Sequence, residues 1–299
     1  MRHIRFSLYS IPFFLSSVVL ISLTFVIAAT LKIPFGIDFT GGNLVEFESK
    51  LNITEVRQKI NANRDKLAIK SDYIIQNFGA DDVYLLRIGG ANNDQLAENI
   101  RAVISGSDIR RVEYVGPSIG DLLIEKGLTA ITLSLLAVFI YIWFRFEWQF
   151  SLAAIGALLH DLIISFGLII LLDIEISLAL IAAFLTIAGY SINDTVVVFD
   201  RMREKLRLKA NLITKENIKS FSIIELLDES LNDTLSRTIL TSATTLIALI
   251  CLWVLGGAAL RDFTSVLIIG VIVGTYSSVY VAPFLLRISR VNVADFKPD

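Results

Sequence analysis

Apolar residues along this chain gather into long blocks rather than alternating with polar ones. Stretches without Asp, Glu, Lys or Arg run over Phe6–Leu31, Gly127–Phe144, Ile176–Asn193, Thr238–Leu260 and Phe263–Leu286. A sixth, Trp148–Leu172, is interrupted only by His160 and Asp161. A helix needs about 20 mostly apolar residues to cross a bilayer. The pattern therefore predicts six transmembrane helices and an α-helical polytopic membrane protein.

Between the first two blocks the pattern changes. Asn43–Glu48 follows a Gly41-Gly42 turn and suits a strand, and Asn52 with Glu55 three residues on has the spacing of a helix capping box, opening a helix to about Lys66. Asp72–Phe78 and Asp82–Ile88 are rich in strand formers and separated by a Gly79-Ala80-Asp81 hairpin signal. Asn92 and Gln95 repeat the cap pattern before a helix to about Ile104, and Ile109–Val115 closes as a strand. The order βαββαβ predicts a small α+β domain of the ferredoxin-like, split βαβ kind. The expected organisation is thus residues 1–31 for the N-terminus and first span, 32–120 for this domain and 121–200 for spans two to four. Residues 201–236 form a connection, 237–287 spans five and six, and 288–299 a tail.

Composition agrees with a membrane location. Of 299 residues, 54% are hydrophobic and 19% charged, against about 25% charged in soluble chains, and mean hydropathy is +0.66. A net charge of −2 gives no hint of a nucleic-acid partner. The single cysteine, Cys251, lies inside an apolar block, so neither a disulfide framework nor a cysteine metal site is expected. Arg2 and Arg5 before the first block resemble a secretory leader. A leader's apolar region is only about 7–15 residues long, so the first block is expected to stay as an anchor.

Lys and Arg in short loops mark the cytoplasmic side. They occur at Arg2 and Arg5, at Arg145 between spans two and three, and at Arg201, Arg203, Lys205, Arg207, Lys209, Lys215 and Lys219 between spans four and five. Arg287, Arg290 and Lys297 follow in the tail, whereas Asp173-Ile174-Glu175 has none and Gly256–Asp262 only Arg261. Both termini are expected in the cytoplasm and the α+β domain outside. The 12 basic residues of Lys32–Lys126 do not oppose this, because long domains translocate largely regardless of charge. Ile218, Phe221, Ile224, Leu227 and Leu231 recur on one helical face, predicting an amphipathic helix in the 201–236 connection, lying on the bilayer or spans or offering a docking surface.

No G-x-x-x-x-G-K-[ST] or H-E-x-x-H motif is present, which leaves neither a P-loop for ATP nor a zinc protease site. No cofactor or metal is expected. Ionisable residues inside spans are the candidates for function. Asp194 falls in the cytoplasmic third of span four, on a polar stripe with Thr186, Tyr190 and Asn193. Arg237 opens span five at a similar depth, with Thr241, Thr244 and Thr245 continuing its face. An acid and a guanidinium entering the same leaflet can hold the helices as a static pair, or part and rejoin so that the acid takes up and releases a proton. His160 and Asp161 sit near the middle of span three as packing or supporting polar residues. Asp121, Glu125 and Lys126 read as solvated flanking charge. Gly270 and Gly274, continued by Ser277 and Ser278, make a small-residue helix-packing face.

Several of these segments resemble a known family. Gly36-Ile37-Asp38-Phe39-Thr40-Gly41-Gly42 is similar to the signature of the SecD/SecF family. Gly189-Tyr190-Ser191-Ile192-Asn193-Asp194-Thr195-Val196-Val197-Val198-Phe199-Asp200-Arg201 resembles the span-four signature of its SecF branch. Leu235-Ser236-Arg237-Thr238 with Thr241-Ser242 and Thr244-Thr245, Val115–Gly120 and His160-Asp161 also match. The resemblance implies a bacterial inner-membrane subunit that pairs with SecD and assists the SecYEG channel and SecA ATPase. Proton movement would then help pull the secreted preprotein outward. It links Asp194 and Arg237 to the proton pathway, and places Asp38, Gly41 and Gly42 in the family motif near the membrane without a proton role for Asp38. The Arg201–Ser236 connection is longer than the family usually has. The family is related to resistance-nodulation-division exporters, so half of a small-molecule exporter is one alternative. A passive scaffold for SecD is another. An intramembrane hydrolase using His160 and Ser191 has no recognisable oxyanion donors.

Overall fold

Long uncharged stretches leave the backbone no partner but itself in lipid, and helices satisfy every N–H and C=O internally. The computed structural model describes residues 4–69, 73–78, 80–210, 223–289 and 291. Six of its helices are long and apolar enough to cross a membrane: α1 (Ser10–Thr30), α5 (Pro117–Arg145), α6 (Trp148–Leu171), α7 (Leu178–Ala210), α8 (Ile223–Leu255) and α9 (Ala258–Ile288). The short α2 (Ile37–Thr40) precedes the α+β domain. Helices α6 and α9 form the interior of the bundle, and α1 and α5 lie at its edge.

The domain between α1 and α5 contains β1 (Gly42–Glu48), α3 (Ile53–Ala62), β2 (Tyr73–Phe78), β3 (Ala80–Ile88), α4 (Leu96–Val103) and β4 (Asp108–Val115). The sheet order is β2-β3-β1-β4 with every neighbouring pair antiparallel, as the split βαβ reading predicts. The capping box at α3 forms: Asn52 accepts from the Glu55 N–H, and Glu55 accepts from the Asn52 N–H. The second expected cap does not. Gln95 at the start of α4 makes no side-chain cap, and Asn93 accepts from the Gln95 N–H instead. Val45, Phe47, Val56, Ile60, Leu86 and Ile100 bury the sheet face beneath α3 and α4.

The 201–236 connection differs from the expectation of a separate amphipathic helix. Helices α7 and α8 have 33 residues each, about 50 Å at 1.5 Å per residue, well beyond a hydrocarbon core of about 30 Å. Both continue past their apolar parts, and their polar ends are joined by Arg201–Asp233 (2.8 Å) and Lys205–Asp233 (2.8 Å) ion pairs. Ile224, Leu227 and Leu231 belong to α8 itself and pack toward Phe6, Val279 and Tyr280. Ile218 and Phe221 lie outside the described residues. The physical reason is continuity: the periodic face begun before the span is carried into it without a break.

At this same end Ser7 donates from its N–H (2.8 Å) and hydroxyl (2.6 Å) to Asp228, and Arg287 reaches Ser10. The two described chain ends therefore lie on the same side of the bundle, away from the sheet. Asp121, Glu125 and Lys126 are exposed on the first turns of α5, as their reading as flanking charge expects.

Candidate functional site

Polar side chains inside the bundle fall into two adjoining groups on α6, α7, α8 and α9. The first surrounds Asp161, which is fully buried. His160 Nδ1 lies 2.8 Å from Asp161 Oδ1, and the hydroxyls of Ser191 and Ser277 (2.6 Å) donate to Asp161 Oδ2. With the carboxylate ionised, the Nδ1 contact requires the proton on that nitrogen. The His160 ring stacks on Tyr276, 6.0 Å between centroids. Tyr276 donates to the Phe13 carbonyl (2.6 Å) and meets the Ser17 hydroxyl at 2.9 Å. One acid thus gathers groups from α6, α7 and α9, and its neighbour extends the contact to α1.

The second group surrounds Asp194, also buried. Ser242 on α8 lies 3.5 Å from Asp194 Oδ2 and 2.7 Å from the Thr275 hydroxyl of α9, while Tyr190 reaches Ser242 at 3.5 Å. The two groups are contiguous through the chain, since Ser191 and Asp194 share a face of α7 and Thr275 and Ser277 lie two residues apart on α9. Small residues let the helices approach closely enough for this. A Cβ on Gly274 would lie 3.2 Å from the Ser191 Cβ, and one on Gly270 would strike Ile187.

Arg237 stands apart. It lies in the middle of α8, where the polar extension gives way to the apolar span, is exposed on the chain surface, and makes no ion pair among the described residues. Its charge still acts on Asp194 electrostatically. Thr241 is half-buried and donates to the Arg237 carbonyl (3.0 Å), and Thr245 is half-buried one turn further on. The expected polar stripe on α7 divides: Asp194 is buried and Tyr190 half-buried, whereas Thr186 and Asn193 are exposed. His160 and Asp161 have more partners than their sequence context suggested. Ser242, Thr275 and Tyr276 carry the hydrogen bonds that sequence reasoning passed over, although the run Thr275-Tyr276-Ser277-Ser278 inside an apolar block was a visible signal.

The segment around Asp38 has a structural account residue by residue. Ile37 and Phe39 are buried, and Thr40 donates to the Gly36 carbonyl (3.0 Å). The Asp38 carboxylate accepts from the Leu178 N–H (2.9 Å) at the first turn of α7, where a helix N-terminus favours negative charge. Gly41 and Gly42 have φ of 68° and 128°, and a Cβ on Gly42 would lie 2.6 Å from the Ile88 carbonyl, so both positions need glycine. Nearby, Arg87 of β3 pairs with Glu175 in the α6–α7 turn. Burial pushes the Arg87 guanidinium down to about 10, while Asp262, Asp173 and Asp38 pull the other way.

A family profile described as "Protein export membrane protein SecD/SecF, C-terminal" matches residues 95–291. The chain is 40% identical over 301 aligned positions to the protein translocase subunit SecF of Desulfurispirillum indicum, covering 94% of this chain and 92% of that one. It is 37% identical to the SecF of Vibrio alginolyticus, covering 95% and 89%. Among solved structures it superposes on SecDF, a translocon-associated membrane protein from Thermus thermophilus, with a TM-score of 0.84 and 32% identity, covering 96% of this chain. It spans only 38% of that longer SecDF chain. A SecDF structure described as the super-membrane-facing form matches with the same identity and coverage but a TM-score of 0.68. This chain therefore superposes less well on that form than on the first structure.

Proposed function

We propose that this chain, which belongs to the SecF family of protein translocase subunits, couples proton movement across the membrane to protein export. Membership makes it an accessory subunit of the Sec translocase rather than half of a small-molecule exporter. In this reading it pairs with SecD in the bacterial inner membrane, with both termini in the cytoplasm. Together they act beside the SecYEG channel and the SecA ATPase on the emerging preprotein.

The observation that carries the reading is the setting of Asp194. It is a buried carboxylate in a membrane helix, held by a hydroxyl network rather than fixed in an ion pair, with the exposed Arg237 on the next helix outside any ion pair among the described residues. An acid so placed can exchange a proton without leaving a bare charge in a hydrophobic site. Ser242 follows its charge by turning its hydroxyl, donating to the carboxylate or accepting from the carboxylic acid, while Thr275 contacts the Ser242 hydroxyl from behind. When Arg237 approaches, the ionised form is favoured. When it withdraws, protonation is favoured. That alternation is the elementary step by which a gradient does mechanical work here.

The exposed positions Asn193 and Arg237 fit a membrane face covered by a second subunit, since polar and charged side chains are costly against lipid. The span of only 38% of the solved SecDF chain supports SecD supplying that second half. The test is proton flux through liposomes holding this chain with SecD, compared with the Asp194→Asn and Arg237→Met variants. Flux and gradient-stimulated export are expected in the parent and absent in both variants, with insertion and SecD pairing unchanged. Normal flux in the Asp194→Asn protein removes the mechanism from this residue.

A further inference from the structure

The sheet domain is linked covalently to α1 and α5, but its polar contacts with the membrane part converge on another helix. Ahead of α7 the chain forms a short parallel bridge in which Gly36 N–H donates to the Ile176 carbonyl (2.8 Å) and Ile176 N–H to the Pro34 carbonyl (2.7 Å). Two residues further on, Asp38 accepts from the Leu178 N–H. From the sheet, Arg87 pairs with Glu175, and both side chains are largely buried, at 10% and 14% exposure. The strands come this close because residue 36 is glycine: a Cβ there would lie 2.5 Å from Glu175 Oε1 and 3.0 Å from the Ile176 carbonyl.

We propose that Arg87, Glu175 and Asp38 form the joint through which displacement of α7 is delivered to the outer domain. This rests on the reading of Asp194 as a proton-exchanging acid. Asp194 and the joint belong to one element. Helix α7 runs unbroken from Leu178 to Ala210 without proline, and sharp kinks need proline or a comparable interruption. Asp194 lies about 24 Å from Leu178 at 1.5 Å per residue, so a tilt or axial shift imposed at the acid reappears at Glu175 and Ile176. The bridge and the Asp38 cap grip the backbone of this end, and the Arg87 pair ties it to β3 at the centre of the sheet. Acids at positions 173 and 262 add to the field that holds the Arg87 guanidinium in place.

Arg87, Glu175 and Asp38 are therefore positioning residues, and their loss separates proton movement from export instead of stopping both. The test uses the full chain with SecD in proteoliposomes that also carry the Sec channel and ATPase, reading gradient-stimulated export and proton flux together. R87E and E175R are each expected to lower stimulated export about tenfold, within the range of coupling between distant sites, with flux held near the parent level. The R87E/E175R double reversal is expected to restore export, and R87K to retain it. Should R87E fail to insert, E175Q carries the same comparison. Parent-level export in the single reversals, a double reversal no better than either, or flux falling in step with export would each overturn the joint. The D194N control reports separately: if it exports like the parent, the proton reading fails, while the reversal pair still judges the joint through export alone.

Discussion

Ser277 on α9 donates a 2.6 Å hydrogen bond to Asp161 on α6, 116 positions earlier in the chain, with both side chains buried. Ser191 of α7 and His160 share the same carboxylate. One acid therefore binds three spans at a single point in an apolar medium, where no solvent competes for the bonds.

Asp161→Ala strips partners from His160, Ser191 and Ser277 at once. Interhelical hydrogen bonds in membranes contribute about 0.6 kcal/mol each on average, and an orphaned buried group costs about 1–3 kcal/mol, so a loss of about 2–4 kcal/mol is expected. Asp161→Asn, which keeps an acceptor oxygen, should lose less. Thermal unfolding of the two variants in detergent beside the parent checks this, and equal stability of the alanine variant would show that the cluster does not hold the spans together.

Ser242→Ala removes the hydroxyl between Asp194 and Thr275 while leaving the carboxylate in place. Gradient-stimulated export should fall about tenfold or more, by less than in Asp194→Asn, because one hydrogen bond to a charged group is worth about 1.5–3 kcal/mol. Export at parent level would mean that the Ser242–Thr275 contact is packing alone.

Gly274→Leu forces a branched side chain against Ser191. Overpacking costs about 1–3 kcal/mol, and here it also moves Ser191 away from Asp161. Reduced thermal stability and reduced export are expected together, with Gly274→Ala much milder. The ratio of the two losses, measured on one preparation, tests whether the glycine face serves the polar cluster.

Asn52→Ala opens the capping box of α3, where the expected loss is about 1 kcal/mol. Hydrogen exchange at the first turn of α3 in the full chain reports it. Faster exchange should be confined to that turn, leaving export unchanged, since the box lies far from the membrane helices.

Six spans and the βαββαβ order were legible because their signals are local and redundant. A block of about 20 apolar residues has few alternatives in lipid, and Asn52 with Glu55 states its cap within four positions. The cap expected of Asn92 does not form: Asn92 donates to Asp94, and Asn93 accepts from the Gln95 N–H in its place. Likewise, the 201–236 segment suggested a connection with a separate amphipathic helix, yet ion pairs between the extended ends of α7 and α8 stabilise continuous helix at its described residues. Asp194 and Arg237 stood out since charge inside a span is rare and costly. The partners of Ser242, Thr275 and Ser277 did not, because a serine or threonine in a membrane helix satisfies its own hydroxyl on the preceding turn as readily as it meets a distant group.

Hydropathy alone determined six helices long and apolar enough to cross a membrane, and local patterning determined the sheet domain, because each is decided within one turn, hairpin or span. Which hydroxyl faces which acid, that Arg237 stands apart from Asp194, and that Asp38 caps α7 were settled only by tertiary packing. Those relations join residues tens to hundreds of positions apart, and rotation of a single helix about its axis would dissolve them while leaving the hydropathy pattern unaltered.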